Sequence, residues 1–192
     1  MAVSRLSQQS IQQSFPKGTT LWDGTTATSA FDSLGSFNVS SATSSVTFSS
    51  IPQTYQHLQI RFSVLGSSNN DDFQMQFNGI TASSNYSWKE FRGNGTTATI
   101  GSGINQSFMY VASNSGDSSY PTVGIIDIHD YTNTNKAKTV RIFEGNSKNA
   151  TGTMSLWASS YFGTTNAVSS IKLYHAASNI NPNSVISLYG IK

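Results

Sequence analysis

Cysteine is absent from the 192 residues, which removes disulfides and thiolate metal sites together. Charge is scarce. There are 11 Lys and Arg against 9 Asp and Glu, 10% of the chain, for a formal net charge of +2. The basic residues are scattered, with Lys89, Arg92, Lys136, Lys138, Arg141, Lys148 and Lys172 far apart and no basic block among them. Nucleic-acid binding needs a concentrated cationic footprint, so that class is set aside. No run of 18 apolar residues occurs, which excludes a membrane-spanning helix. The opening "MAVSRLSQQSIQQSF" lacks the apolar stretch of a secretory signal, so no such signal is expected. Helical periodicity is also missing beyond the N-terminal segment, and with it the crossovers that a parallel sheet requires.

Serine, threonine, asparagine and glycine make up the polar part instead, and apolar residues are 36% of the chain. The length fits one domain able to bury a core without covalent staples. Residues 1–28 differ from the rest. They are rich in glutamine, and Leu6, Ile11 and Phe15 precede Pro16, with Trp22 in "LWDGTT" before an Asp-Gly turn. This segment reads either as a frayed terminus or as an arm that orders against a neighbour; the arm reading assigns attachment to Leu6, Ile11, Phe15 and Trp22.

From residue 29 to 192 the pattern is short period-two runs separated by turn residues. "HLQIRFSVLG" sets Leu58, Ile60, Phe62 and Val64 on one face of a strand. "DFQMQFNG" repeats the device and stops at Asn78-Gly79, a favoured tight turn. Ile126 with Ile128, Val140 with Ile142, Met154 with Leu156 and Ala158, Ile171 with Leu173, and Ile186 with Leu188 supply further alternating rows. "INQSFMYVA" reads as one strand and "GNGTTATIGSG" as a polar linker. About ten short strands predict an all-β fold: an antiparallel β-sandwich, jelly-roll-like, with each sheet hiding one face.

Catalytic constellations are poor. "DIHD" places Asp127 and His129 on one strand face, which raises a metal or acid–base site, but the spacing matches no known ligand pattern. Its plain reading is a polar, solvent-facing strand edge. Asp71-Asp72 after Asn69-Asn70 raises a hard-cation loop, yet the twelve-residue calcium pattern is missing and a turn explains the four residues. No nucleophile elbow or phosphate loop is present. No catalytic residue, cofactor or metal is therefore assigned, and a non-enzyme is expected. In "DYTNTNKAKTVRIF" the Asp and Asn residues read as a rigid corner, with Lys136, Lys138 and Arg141 as partners for Asp127, Asp130 or Glu144. Aromatics outside the evident core, above all Trp88, Tyr120 and Tyr161, are candidates for a recognition surface that stacks on sugar rings or on protein.

The segments "SSIPQTYQHLQIRF", "FNG" followed by "SNYSW", "IIDIHDYTNTNKAKTVR" and the terminal "ISLYGIK" resemble a widespread group of tailed-bacteriophage structural proteins of tail-fibre, minor structural or capsid-surface type. The likeness runs from about Leu21 to Lys192, and "MAVSRLSQQSIQQSFPK" also looks like theirs. It implies a virion location, with assembly in the host cytoplasm and other capsid or tail proteins as partners. It also implies a homo-oligomer such as a trimer, and it brings no catalytic residues. A host-surface glycan is the alternative partner.

Overall fold

The computed structural model describes residues 30–68, 71–113, 115, 117–146 and 152–192. The proposed arm residues Leu6, Ile11, Phe15 and Trp22, together with Asn69 and Asn70, lie outside them. Phe31–Lys192 is one compact unit of twelve strands. They are β1 (Phe31–Asn38), β2 (Ser45–Phe48), β3 (His57–Val64), β4 (Phe73–Phe77), β5 (Tyr86–Gly93), β6 (Ala98–Gln106), β7 (Met109–Ala112), β8 (Thr122–His129), β9 (Lys138–Gly145), β10 (Met154–Tyr161), β11 (Ile171–His175) and β12 (Val185–Ile191).

All pairings are antiparallel and fall into two sheets. The larger runs β1-β12-β3-β8-β9-β10-β5-β6 and the smaller β2-β11-β4-β7. The early strands pair with the late ones in reverse order: β1 with β12, β2 with β11, β3 with β8, and β4 with β7. A long antiparallel ribbon wrapped into two layers gives this order, which is the jelly roll. Two hairpin-length insertions complete the molecule. β5 and β6 sit between β4 and β7, and β9 and β10 between β8 and β11. The insertions join through β10 and β5 and extend the large sheet by four strands.

The alternating rows explain the layering. Leu58, Ile60, Phe62 and Val64 of β3, Ile126 and Ile128 of β8, and Ile186 and Leu188 of β12 are buried from the large sheet. They pack in one cluster with Val46, Phe48, Phe73, Met75, Phe77, Ile171 and Leu173 of the small sheet. Each such side chain stabilises the fold by roughly 1.5–3 kcal/mol, and a one-residue slip would turn its whole row to water.

Three strands depart from the sequence expectation. "INQSFMYVA" is not one strand; it is cut at Ser107-Phe108, where the chain passes from β6 in the large sheet to β7 in the small one. "GNGTTATIGSG" is not a linker, because its second half begins the nine-residue strand β6. In β10 the phase is inverted. Ser155, Trp157, Ser159 and Tyr161 face inward, while Met154, Leu156 and Ala158 face out. Trp157 and Tyr161 carry more apolar area than Met154 and Leu156, and the small serines between them leave room for the rings. Tyr161 stacks on Tyr86 at 5.1 Å and Trp157 on Tyr110 at 5.3 Å.

Local anchors set the corners. Asn78 and Gly79 both have positive φ, 54° and 69°, as a tight turn of this hand requires. The turn does not close a hairpin; it sends the chain from the small sheet to the large one. The buried Tyr86 hydroxyl accepts from the Phe77 amide at 3.0 Å and lies 3.1 Å from the Ile80 carbonyl, clamping both sides of that turn.

Gly124 shows how tight the interface is. A Cβ there would lie 2.5 Å from the Phe62 ring and 2.8 Å from the Phe143 carbonyl oxygen. Gly124→Ala should therefore push Phe62 off its contact with Phe73, at 5.6 Å, and lower stability by about 1–3 kcal/mol in urea unfolding. An unchanged midpoint would show that the two layers are not in this contact.

Candidate functional site

The outer face of the large sheet is two surfaces in one. Reading across the strands in register, one row runs Ser36, Ser187, Arg61, Ile125, Phe143, Leu156, Phe91, Ile100. It is polar over the first three strands and apolar over the last five. The next row carries Val123, Gly145, Met154 and Gly93 over β8, β9, β10 and β5. Exposure is 40% for Ile125, 53% for Phe143, 48% for Leu156, 56% for Phe91 and 85% for Ile100. With Val123 and Met154 these residues expose roughly 800 Å² of apolar surface, more than the largest patch of a typical monomer and about one partner's share of a standard protein interface. A groove of about 740 Å³ lies among Val123, Ile125, Phe143, Gly145 and Met154, with Pro121 in its lining.

A row that is polar except at Ala158 borders this surface: Gln59, Asp127, Arg141, Ala158, Lys89 and Ser102. Asp127 accepts from Gln59 Nε2 at 2.8 Å and from an Arg141 guanidinium nitrogen at 2.9 Å. Burial pushes the Asp127 carboxyl up, but these two donors outweigh it and hold it below the usual range. "DIHD" is thus satisfied locally. Ile126 and Ile128 face inward and His129 is exposed, as a polar, solvent-facing strand edge requires. The ring of His129 meets that of its cross-strand neighbour His57 at 4.8 Å. His57 Nδ1 lies 3.0 Å from the Asp130 amide nitrogen and 3.6 Å from its carboxylate. Asp130 pairs with Lys136, and Lys138 is buried, donating to the carbonyls of Asn133, Lys136 and Thr165 rather than to a carboxylate. The corner read from "DYTNTNKAKTVRIF" is held by these bonds. At the other end, Asp71 accepts from the amides of Asp72 at 2.8 Å and Ala177 at 3.1 Å. Among the described residues no group of three or more His, Cys, Asp or Glu is placed to hold a metal ion.

A second, smaller site lies on the inner side, where the extension outruns the small sheet. Trp88, Tyr110 and Trp157 meet there, with ring centroids 4.9 and 5.5 Å from Trp88. Beside them a polar cleft of about 320 Å³ is lined by Asp72, Glu90, Arg92, Thr99 and Ser113. Glu90 accepts from Ser155 at 3.1 Å and lies 3.7 Å from Arg92 Nε, while Arg92 donates to Ser113 at 2.9 Å. Glu144, across Ser155 on β9, is 1% exposed and neither oxygen has a hydrogen-bond partner. Burial pushes its carboxyl up to about 7.

The sequence candidates separate. Tyr120 is exposed, 43%, on a turn whose Ser119 and Tyr120 amides bond to Asp117 at 2.7 and 3.0 Å. Trp88 is half-buried on the inner side. Tyr161 is fully buried in the core and presents nothing to a partner. The apolar outer row was not picked out from the sequence. Its signal was β10, where Met154 and Leu156 compete with Trp157 and Tyr161, so that both faces of one strand are apolar. The chain matches no family model, no curated protein and no solved structure.

Glu144 makes a prediction about pH. Its folded pKa is raised, so the stability it permits is fully present below about 4.5 and is lost as pH rises through about 7. Wild type should lose up to about 3 kcal/mol from this group over that window, and Glu144→Gln should remove that part of the slope. Equal pH slopes for the two proteins in urea unfolding would contradict the burial of this carboxyl.

Proposed function

We propose that the chain is a non-enzymatic structural component of a bacteriophage particle, joined to a head or tail protein and presenting a jelly-roll sandwich. The observation that carries this reading is the apolar half of the outer sheet face. It is as large as one side of a stable protein interface, and it lies on a chain with few charges. The resemblance of the segments around "SSIPQTYQHLQIRF" and "IIDIHDYTNTNKAKTVR" to tailed-phage structural proteins supplies the kind of partner: another virion protein, bound through this face and through the N-terminal segment. Phe143 and Leu156 lie at the centre of the row, where truncation costs most in an interface. Leu156→Asp places a charge there without touching the core.

A second reading rests on the inner cleft. Aromatic rings beside a carboxylate, a guanidinium and hydroxyls suit a sugar, which offers a flat apolar face and a rim of hydroxyl groups. Under this reading the chain also binds a host-surface glycan, with Trp88, Glu90 and Arg92 as contacts.

Purified particles should contain the chain in fixed stoichiometry, and Leu156→Asp should reduce its incorporation at least tenfold while circular dichroism stays unchanged. Particles free of the chain, or full incorporation of the variant, would overturn the structural reading. On a glycan array the second reading expects a specific hit weakened at least tenfold by Arg92→Ala; an empty array removes it.

A further inference from the structure

The four sheet edges are not alike. β2 and β7 are four residues each, too short to template another strand. β1 is interrupted by a bulge between Ser33 and Gly35 and carries Asp32, bonded to Lys192 at 2.8 Å. β6, "ATIGSGINQ", is the longest strand of the fold and forms the free margin of the large sheet. It has no charged residue and no proline. Its one irregularity is the shift between Tyr86 and Trp88 in the β5 pairing, which falls between Gly103 and Gln106 and takes in Ile104 and Asn105, the latter at a φ of 57°. Among the described residues nothing pairs with this edge, where most sheet edges are blocked.

The sequence of that edge reads the same in both directions about Ser102: Ile100, Gly101, Ser102, Gly103, Ile104. The glycines have an internal reason. A Cβ at Gly103 would lie 2.5 Å from Trp88 Nε1, and one at Gly101 3.2 Å from the same ring. The isoleucines have none. They are 85% and 72% exposed, the two most exposed large apolar residues of the described chain.

We propose that β6 pairs antiparallel with β6 of a second copy, about a two-fold axis through Ser102. Antiparallel pairing on that axis sets Ile100 of one copy opposite Ile104 of the other, twice, and Ser102 opposite Ser102. Gly101 faces Gly103 on the inner side. A two-fold contact needs a self-complementary patch, and a palindromic strand is one. Like charges do not meet, because the strand has none. The pairing satisfies the open backbone groups of both edges and gives cross-strand contacts to all four isoleucines. It joins the edges of the two copies over the five residues Ile100 to Ile104 of each. The two large sheets then become one, and the apolar outer rows of both copies lie on a single face. The inference goes beyond the particle role and stands without it, because the free chain in solution shows it.

The lack of native cysteine makes the test direct. Sedimentation of the full chain should show a monomer–dimer equilibrium, and Ile100→Lys should weaken it at least tenfold while leaving the circular dichroism unchanged. Ser102→Cys should form a disulfide-linked dimer on mild oxidation. Across an antiparallel pair the Cα atoms lie about 4.5–5.5 Å apart, within disulfide reach. Thr139→Cys, exposed on the interior strand β9, should stay reduced under the same conditions. Ile100→Cys mixed with Ile104→Cys should give the mixed disulfide in preference to either homodimer, which reads the register. A chain that stays monomeric at about 100 μM overturns the proposal. A dimer unaffected by Ile100→Lys overturns it as well, as does Ser102→Cys cross-linking no faster than Thr139→Cys.

Discussion

A four-stranded sheet faces an eight-stranded one, and most features of the molecule follow from that mismatch. The reversed pairing of early with late strands builds two four-stranded layers that bury each other's inner faces. The strands added by the two insertions have no second layer of their own. Their inner faces are covered where Tyr86 and Tyr161 pack against Phe77 of β4 and where β7 and the aromatic group of Trp88, Tyr110 and Trp157 reach them. Rings are the economical way to fill such a wedge, since each carries a large apolar area on few rotatable bonds. Past the wedge the inner face turns polar, and Glu90, Arg92 and Ser113 line the cleft that remains.

The same extension accounts for the outer face. A strand at this position must offer apolar groups inward for the wedge, and β10 does so with Trp157 and Tyr161. Met154 and Leu156 are then directed outward by the two-residue period of the strand. Phe143 and Phe91 flank Leu156 in register, so the outward residues form a continuous row instead of isolated spots. Polar side chains border the row, and the hydrogen bonds of Asp127, Asp130, Lys138 and Asp71 fix the loops and strand ends around it. A rigid frame with one uncovered apolar face suits a part that is completed by assembly.

The regular half of this architecture was legible in the sequence. Leu58, Ile60, Phe62 and Val64 alternate without competition, because β3 lies between two other strands of the original sandwich and has a single apolar face. Ile126 and Ile128 of β8 and Val140 and Ile142 of β9 were readable as inward rows too, but Val123, Ile125 and Phe143 put apolar groups on the other face of the same strands, and that second face went unread. The extension was not. In β10 both alternating sets are apolar, so periodicity alone cannot choose the phase, and the packing of rings against Tyr86 and Tyr110 decides it. β6 has glycine at two inward positions because Trp88 occupies that space, and this removed the hydrophobic alternation that marks a strand. Strand order was beyond reach, since it depends on pairings between residues more than a hundred positions apart, such as Phe37 with Ile186. Of the nominated recognition residues, Tyr120 was placed correctly on a loop by its polar neighbours and Pro121. Tyr161 was not, because the end of a strand in sequence need not be the rim of the sandwich.

The phase of β10 is the point on which the uncovered face, the aromatic wedge and the inner cleft all depend. Cross-strand nuclear Overhauser contacts test it directly. The structure predicts contacts from the Leu156 side chain to those of Phe143 and Phe91, and from the Trp157 indole to Tyr110 and Trp88. A spectrum with Leu156 in contact with Phe77 or Tyr110, and with the Trp157 indole open to solvent, would contradict it.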